Sequence, residues 1–109
     1  MNEPTHPMWP LAGARAAEIV VVARWTPADG SRERIESSLP ELVRESSAEP
    51  GCLGYGVLWP ENGDIVLVER YVDRNALQAH RDSEHFRRIV QERIVAMLAS
   101  RDVTVAVTC

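Results

Sequence analysis

The sequence has few cysteines and no long apolar run. Its two cysteines, Cys52 and Cys109, are predicted to be free thiols, because one lies in a turn and the other is the last residue. No apolar run approaches the roughly 20 residues of a membrane-spanning helix. The N-terminus also lacks the charged-then-apolar pattern of a secretion signal. We therefore expect a cytoplasmic protein with no membrane contact.

A basic patch and the motifs of several enzyme classes are also missing. The formal net charge is -4 and no block of like charge occurs, which argues against a nucleic-acid partner. There is no nucleotide-binding glycine loop, nucleophile triad or metal-ligand cluster, so we expect no cofactor and no metal. At 109 residues, with 45% hydrophobic and 26% charged residues, the chain is predicted to be one globular domain.

The first half of the chain predicts an arm, a strand and a helix. Residues 1–17 hold three of the seven prolines and are predicted to form a flexible arm, ahead of a domain over 18–109. Residues 19–23 are an almost unbroken β-branched run, typical of a strand buried on both faces. A helix is predicted after Ser31, its N-cap, and Pro40 is expected to kink or split it.

The second half predicts a hairpin, two helices and a last strand. Strands are expected at 53–59 and 65–71, with Asn62-Gly63 as the turn. Asp73 and Ser83 are predicted to cap the two helices, and 102–107 forms the last strand. The order βαββααβ predicts an α+β fold of the ferredoxin-like type, an antiparallel sheet with helices on one face.

The predicted strands do not have a clean polar face. Residues 19–22 and 65–68 are apolar at every position. A large exposed apolar face usually marks an interface, and two-fold dimers are the commonest soluble oligomers. We therefore expect a homodimer that forms through the sheet face.

A pocket is expected between the sheet and the helices. Alternation places Ile65, Leu67, Glu69 and Tyr71 on one face of the third strand. It likewise places Leu53, Tyr55, Val57 and Trp59 on one face of the second strand. The alternation does not say which face meets the helices. The candidate lining residues are Trp25, Tyr55, Trp59, Glu69, Tyr71, His80, His85 and Phe86.

Three titratable residues carry the candidate chemistry. His80 ends the first short helix and can act as a base or hydrogen-bond a phenol hydroxyl, although the helix dipole alone would also favour a histidine there. His85 is expected mainly to pack and hydrogen-bond, and two histidines with no third ligand nearby make a weak metal signal. Glu69 in an apolar strand needs a partner, either His80 or a helix N-terminus. A structural ion pair is its alternative role.

The aromatic candidates have two possible roles as well. Tyr55, Trp59 and Tyr71 are able to stack on a flat ring, but strand aromatics are more often core or interface residues. The sequence alone leaves both roles open.

Three motifs carry a resemblance to a known family. They are Glu49-Pro50-Gly51-Cys52-Leu53-Gly54-Tyr55, Val68-Glu69-Arg70-Tyr71 and Leu77-x-x-His80-x-x-Ser83-x-His85-Phe86. With them, residues 18–109 resemble the antibiotic biosynthesis monooxygenase (ABM) family of dimeric α+β barrel proteins. Members of that family commonly have Trp at the position of Tyr71.

The resemblance implies a cofactor-independent monooxygenase, nearest to the quinol monooxygenase group. A small aromatic phenol or hydroquinone would bind in the pocket. His80, supported by Glu69, would remove the hydroxyl proton, and the resulting anion would reduce O2 without flavin or metal. The implied substrate-binding residues are Trp25, Tyr55, Trp59, Tyr71, His85 and Phe86.

One departure from the family pattern keeps other functions open. Heme-degrading members and polyketide-type oxygenases both use an Asn on the first strand, whereas residues 19–25 contain none. Heme degradation is therefore disfavoured. Fold alone does not fix function. A non-catalytic, stress-related dimer that binds a small molecule remains an alternative, as does a cofactor-free isomerase or cyclase that uses His80.

Overall fold

The computed structural model describes residues 13–109. Four strands form one antiparallel sheet in the order β2-β3-β1-β4. The strands are β1 (Ile19–Pro27), β2 (Cys52–Leu58), β3 (Ile65–Tyr71) and β4 (Leu98–Val107). The helices are α1 (Arg32–Ser47), α2 (Arg74–Arg81) and α3 (Phe86–Ile94), which has wide π-type turns and ends in a 3-10 turn. The chain has the predicted α+β, ferredoxin-like fold.

The main core lies between the sheet and the helices. The central strands β1 and β3 turn alternate side chains toward α1 and α3. On β3 the residues predicted to share a face, Ile65, Leu67, Glu69 and Tyr71, are all buried, and Val66 on the other face is buried as well. From the helices, fully buried Ile35, Leu42 and Ile89 complete this core. Burial of a large aliphatic side chain contributes about 1.5–3 kcal/mol, so this cluster is the main source of stability.

Helix α1 runs through Pro40 as a single helix, so of the two expected outcomes, a kink or a split, the split does not occur. Pro40 is exposed, and Leu39 and Leu42 on either side of it are buried against the sheet. A proline removes one backbone hydrogen bond from a helix, and packing on both sides offsets that loss. In α2 the predicted cap is confirmed, because the Asp73 side chain accepts a hydrogen bond from the Ala76 N–H.

The predicted alternation fails at both ends of β2. Between Cys52 and Gly54 the register shifts by one residue, so Leu53 is bulged out of the ladder. The bulge leaves Leu53 45% exposed, while Tyr55 is buried. At the other end, β2 stops at Leu58 and Trp59 lies beyond it. The prediction that Leu53, Tyr55 and Trp59 share one strand face is therefore wrong.

Two apolar surfaces remain uncovered within residues 13–109. On the open face of the sheet, the side chains of Val22 and Leu58 are 42% and 43% exposed. On the helix side, Val103 and Val105 of β4 are also exposed, because β4 lies at the sheet edge beyond the helices. No helix in this part of the chain is long and apolar enough to cross a membrane.

The predicted arm lies mostly outside the described residues. Within its last part, the Ala17 N–H donates to the Thr108 carbonyl at 3.0 Å and the Thr108 hydroxyl donates to the Arg15 carbonyl. These bonds join the start of the domain to the end of β4. Cys52 and Cys109 are free thiols, as predicted.

Candidate functional site

A cavity of about 50 Å³ lies between the helix side of the sheet and helices α2 and α3. Of its lining residues, Arg81, Arg101 and Val103 are exposed and mark the mouth. The remaining lining residues are Val21, Ala23, Trp25, Tyr55, Glu69, Leu77, His80, Phe86 and Val90. Apart from Glu69 and His80, the interior wall is aliphatic and aromatic.

The sheet register places Glu69 at the centre of the floor. Val21 of β1 and Tyr55 of β2 are the residues paired with Glu69 on either side. Paired residues in an antiparallel sheet point to the same face, so all three side chains point toward the helices. Trp25 and Ala23 follow along β1 on the same face.

Helix α2 supplies His80, which is 1% exposed. Leu77 and His80 are three residues apart and form the buried face of this short helix. The His80 ring lies among aromatic rings, with centroids 5.5 Å from Tyr55, 5.4 Å from Tyr71 and 5.1 Å from Phe86. This packing fixes the orientation of the imidazole.

Glu49 is the functional residue that sequence reasoning missed. Its Oε2 lies 2.8 Å from His80 Nδ1 and 2.6 Å from His85 Nε2, so one carboxylate oxygen holds both imidazoles. In the sequence, Glu49 stands out only as part of the Glu49-Pro50-Gly51 motif, which indicates a turn and assigns no role to the Glu49 carboxylate. Its partners are 31 and 36 residues away along the chain, beyond the reach of any local pattern.

Gly51 explains how the Glu49 turn and α2 come together. A Cβ at position 51 would lie only 2.4 Å from the Cβ of Ala76 in α2. Glycine therefore allows the helix to pack against the turn, and this packing brings His80 within hydrogen-bonding distance of Glu49. The Val72 N–H donates to the Gly51 carbonyl at 2.9 Å and ties the turn to the end of β3.

The Glu49 contact sets the tautomer of His80. A carboxylate oxygen accepts hydrogen bonds, so the His80 proton is assigned to Nδ1 and the lone pair to Nε2. His80 Nε2 is buried and makes no hydrogen bond with residues 13–109. Burial lowers the pKa of His80, although Glu49 opposes this shift. A neutral imidazole with an available Nε2 lone pair results.

Glu69 makes its hydrogen bond with neither of the predicted partners, His80 and a helix N-terminus. The Tyr71 hydroxyl donates to Glu69 Oε1 at 2.7 Å, whereas His80 Nε2 is 3.9 Å from the same oxygen. Burial raises the pKa of Glu69 to about 7, while the Tyr71 hydrogen bond and Arg81 oppose the rise. Glu69 is therefore divided between its protonated and ionised forms at neutral pH. Burial and the nearby Glu69 also raise the pKa of Tyr71, which stays a donor.

The structure brings most of the predicted site residues together. Trp25, Tyr55, Glu69, His80 and Phe86 line the cavity. Tyr71 does not line the cavity but donates a hydrogen bond to Glu69, which does. His85 also lies outside the lining and is linked to His80 through Glu49.

Trp59 does not lie with the other site residues, contrary to the sequence prediction. It is 52% exposed, and the guanidinium of Arg32 lies 5.3 Å from its ring centroid. The reason is that β2 ends at Leu58, so the strand alternation does not extend to position 59.

Comparison with known proteins identifies the family. The model of the family described as antibiotic biosynthesis monooxygenase matches residues 18–92. A relative from Mycobacterium tuberculosis, named "Putative monooxygenase Rv0793", is 35% identical over 69 residues, which make up 62% of this chain and 68% of that protein. The solved structure of Rv0793 matches with a TM-score of 0.78 and 30% identity, over 83% of this chain and 93% of that one.

Two further solved structures are similar. PA3566 from Pseudomonas aeruginosa matches with a TM-score of 0.78 and 28% identity, over 86% of this chain and 96% of that one. A structure of an antibiotic biosynthesis monooxygenase matches with a TM-score of 0.74 and 30% identity, over 84% and 96% of the two chains. The family model matches more than half of the chain. Tyr55, Glu69 and His80, one from each of the three motifs that suggested the family, line the cavity. The chain belongs to the antibiotic biosynthesis monooxygenase family.

Proposed function

We propose that this protein is a monooxygenase that oxidises a small phenol or hydroquinone with O2, without a cofactor, in the cavity between the sheet and the helices. The observation that carries this proposal is that His80 lines the cavity and that its buried Nε2 has no hydrogen-bond partner in residues 13–109. A base needs a lone pair within reach of the proton that it removes.

The first step is proton transfer from the substrate hydroxyl to His80 Nε2. The Nδ1 proton stays on the Glu49 side, so the ring becomes an imidazolium beside a carboxylate, which stabilises its charge. Glu69, where protonated, is able to donate a hydrogen bond to the substrate oxygen. Arg81 at the mouth adds a positive charge that favours the phenolate.

The phenolate then supplies the electrons for oxygen activation. It gives one electron to O2, which forms a substrate radical and superoxide, and these recombine into a C–O bond. The resulting peroxide takes the proton from His80 and loses water, which leaves a quinone carbonyl. Four electrons leave the substrate, one oxygen atom enters the product and the other enters water. The protein orients the substrate and provides a site that excludes water and stabilises the developing charge.

The size and walls of the cavity favour a single-ring substrate. About 50 Å³ is well below the roughly 300–1,000 Å³ of most small-molecule sites, so a ring enters only as the exposed side chains at the mouth move aside. Trp25, Tyr55 and Phe86 offer aromatic surfaces against which a flat ring packs. We therefore expect one-ring hydroquinones to be better substrates than three-ring anthrones.

The protein is proposed to work as a homodimer through the open face of the sheet. Val22, Leu53 and Leu58 on and beside this face are each exposed by more than two fifths. A second copy of the same sheet would remove these apolar side chains from water, and two-fold pairing is the commonest way to do so.

Oxygen uptake by the purified protein tests the function. The panel contains one-ring hydroquinones, naphthoquinols and anthrones, and the variants are His80→Ala and Trp59→Phe. We expect His80→Ala to lose at least about 100-fold in rate, since positioned acid–base catalysis typically contributes about 10²–10⁴-fold. Trp59→Phe is the matched control, because Trp59 lies outside the cavity and its replacement is expected to leave the rate unchanged.

Each other outcome has a distinct meaning. Full turnover by His80→Ala would remove His80 from the mechanism. Binding of the same aromatics without oxygen uptake would replace the enzyme with a small-molecule-binding dimer. Product formation without oxygen would identify an isomerase or cyclase.

A further inference from the structure

We propose that Glu49, His80 and His85 form a binding site for one divalent transition-metal ion, with Zn²⁺ as the reference ion. The site lies on the Nδ1 side of His80, away from the Nε2 that faces Glu69. It is therefore a separate site that shares one residue with the cavity.

The three donor atoms are already grouped. One donor atom from each of Glu49, His80 and His85 lies within 4.8 Å of the other two. Zinc takes nitrogen ligands at about 2.0–2.1 Å and carboxylate oxygens at about 2.0–2.2 Å, which separates tetrahedral ligands by about 3.3 Å. Glu49 Oε2 is now 2.8 and 2.6 Å from the two nitrogens, so it needs to withdraw by roughly half an ångström. The ion would take the place of the two protons assigned between these atoms, and each neutral imidazole would carry its proton on its other ring nitrogen.

The second oxygen of Glu49 supports this assignment. Oε1 is buried and accepts no hydrogen bond from residues 13–109, although buried polar atoms are nearly always satisfied. A bound ion would satisfy it, either by direct bidentate ligation or through a water molecule on the metal. Two imidazoles and a carboxylate form a ligand set that suits zinc and other first-row ions and leaves positions open for water.

The surroundings provide access and an outer ligand shell. The Glu49 and His85 side chains are 15% and 13% exposed, whereas the His80 side chain is buried. The ion would therefore reach the site from the side of Glu49 and His85. With the metal on Nδ1, His80 would carry its proton on Nε2, and Glu69 Oε1, now 3.9 Å away, would accept a hydrogen bond from it after moving closer. Metal-bound histidines usually have such a partner on the other nitrogen.

A consequence for catalysis rests on the proposed function. A metal-bound His80 carries its proton on Nε2, so the lone pair that serves as the base is lost. Metal binding and proton abstraction would therefore exclude each other, and the site would act as a metal-dependent off switch.

Zinc binding by the full chain tests the site directly. Protein treated with EDTA is titrated with Zn²⁺ alone by calorimetry, and Co²⁺ absorption reports the coordination geometry. We expect one ion per chain, and affinity at least tenfold weaker in both Glu49→Gln and His85→Asn. Glu84→Gln is the control, because it removes the same charge beside His85 from a side chain that is 64% exposed. Circular dichroism checks that the variants fold, and His85→Asn serves if Glu49→Gln does not.

The contrary results are equally clear. Absence of zinc binding would overturn the proposal, as would equal affinity in wild type, Glu49→Gln and His85→Asn. Oxygen uptake separates this inference from the proposed function. If both are right, Zn²⁺ inhibits wild-type uptake and inhibits His85→Asn only at concentrations at least tenfold higher. Zinc binding with no uptake by any form would leave the metal site standing and remove the enzyme, and uptake without zinc binding would do the reverse.

Discussion

Replacement of Glu69 by Gln should make the protein more stable, and the gain should grow with pH. Glu69 is 6% exposed, and its Oε1 accepts a hydrogen bond from the Tyr71 hydroxyl. Burial favours the protonated acid and raises its pKa to about 7 from the ordinary 4.5. The stability associated with protonated Glu69 is fully present below about pH 4.5 and is lost as the pH rises through about 7. Gln has nearly the same shape, keeps an acceptor for Tyr71 and cannot ionise.

The size of the effect follows from the two pKa values. Linkage gives a cost of ionising Glu69 of roughly 1 kcal/mol at pH 5.5 and roughly 3 kcal/mol at pH 8.5. The advantage of Glu69→Gln over wild type should therefore increase by about 2 kcal/mol across this range. That change is large against a total stability of about 5–15 kcal/mol for a typical domain.

Urea unfolding at pH 5.5, 7.0 and 8.5, at one protein concentration, measures this difference. Glu84→Gln is again the control, because its carboxylate is exposed and its replacement should give a nearly constant difference. His80 is present in wild type and variant, so to a first approximation its own titration cancels. A difference between wild type and Glu69→Gln that stays within about 0.5 kcal/mol over this range would refute the burial argument.

Two further predictions follow from packing. Gly51→Ala should destabilise the protein by about 1–3 kcal/mol in urea unfolding, because the new Cβ meets the Cβ of Ala76 at 2.4 Å, and a second change, Ala76→Gly, should recover part of that loss. Failure of the second change to recover stability would contradict the close-approach argument. Val22→Lys on the open sheet face should convert the proposed dimer to a monomer in light scattering, whereas Val105→Lys on the opposite face should not. Equal masses for wild type and Val22→Lys would argue against that interface.

Much of the fold could be predicted because its elements have local patterns. The shared face of alternate residues from Ile65 to Tyr71 on β3 and the Asp73 cap depend on residues within a few positions of each other, and both are confirmed. The beginning of β4 could not be predicted in this way. The strand starts at Leu98, four residues before the predicted position, and its next residues, Ala99 and Ser100, are exposed and not β-branched. Pairing with the end of β1 extends this strand, and such pairing leaves no local pattern.

The candidate site was less predictable because long-range contacts determine it. Trp59 has the residue type expected of a substrate contact, yet the end of β2 places it on the surface. Glu49 has no such pattern, since its partners lie 31 and 36 residues away along the chain. It gains its role only when the turn and α2 pack at Gly51, which brings His80 and His85 to one carboxylate oxygen. The proposed role of His80 therefore depends on the close packing that glycine allows at position 51. Gly51→Ala should lower oxygen uptake more than its loss of stability alone would require.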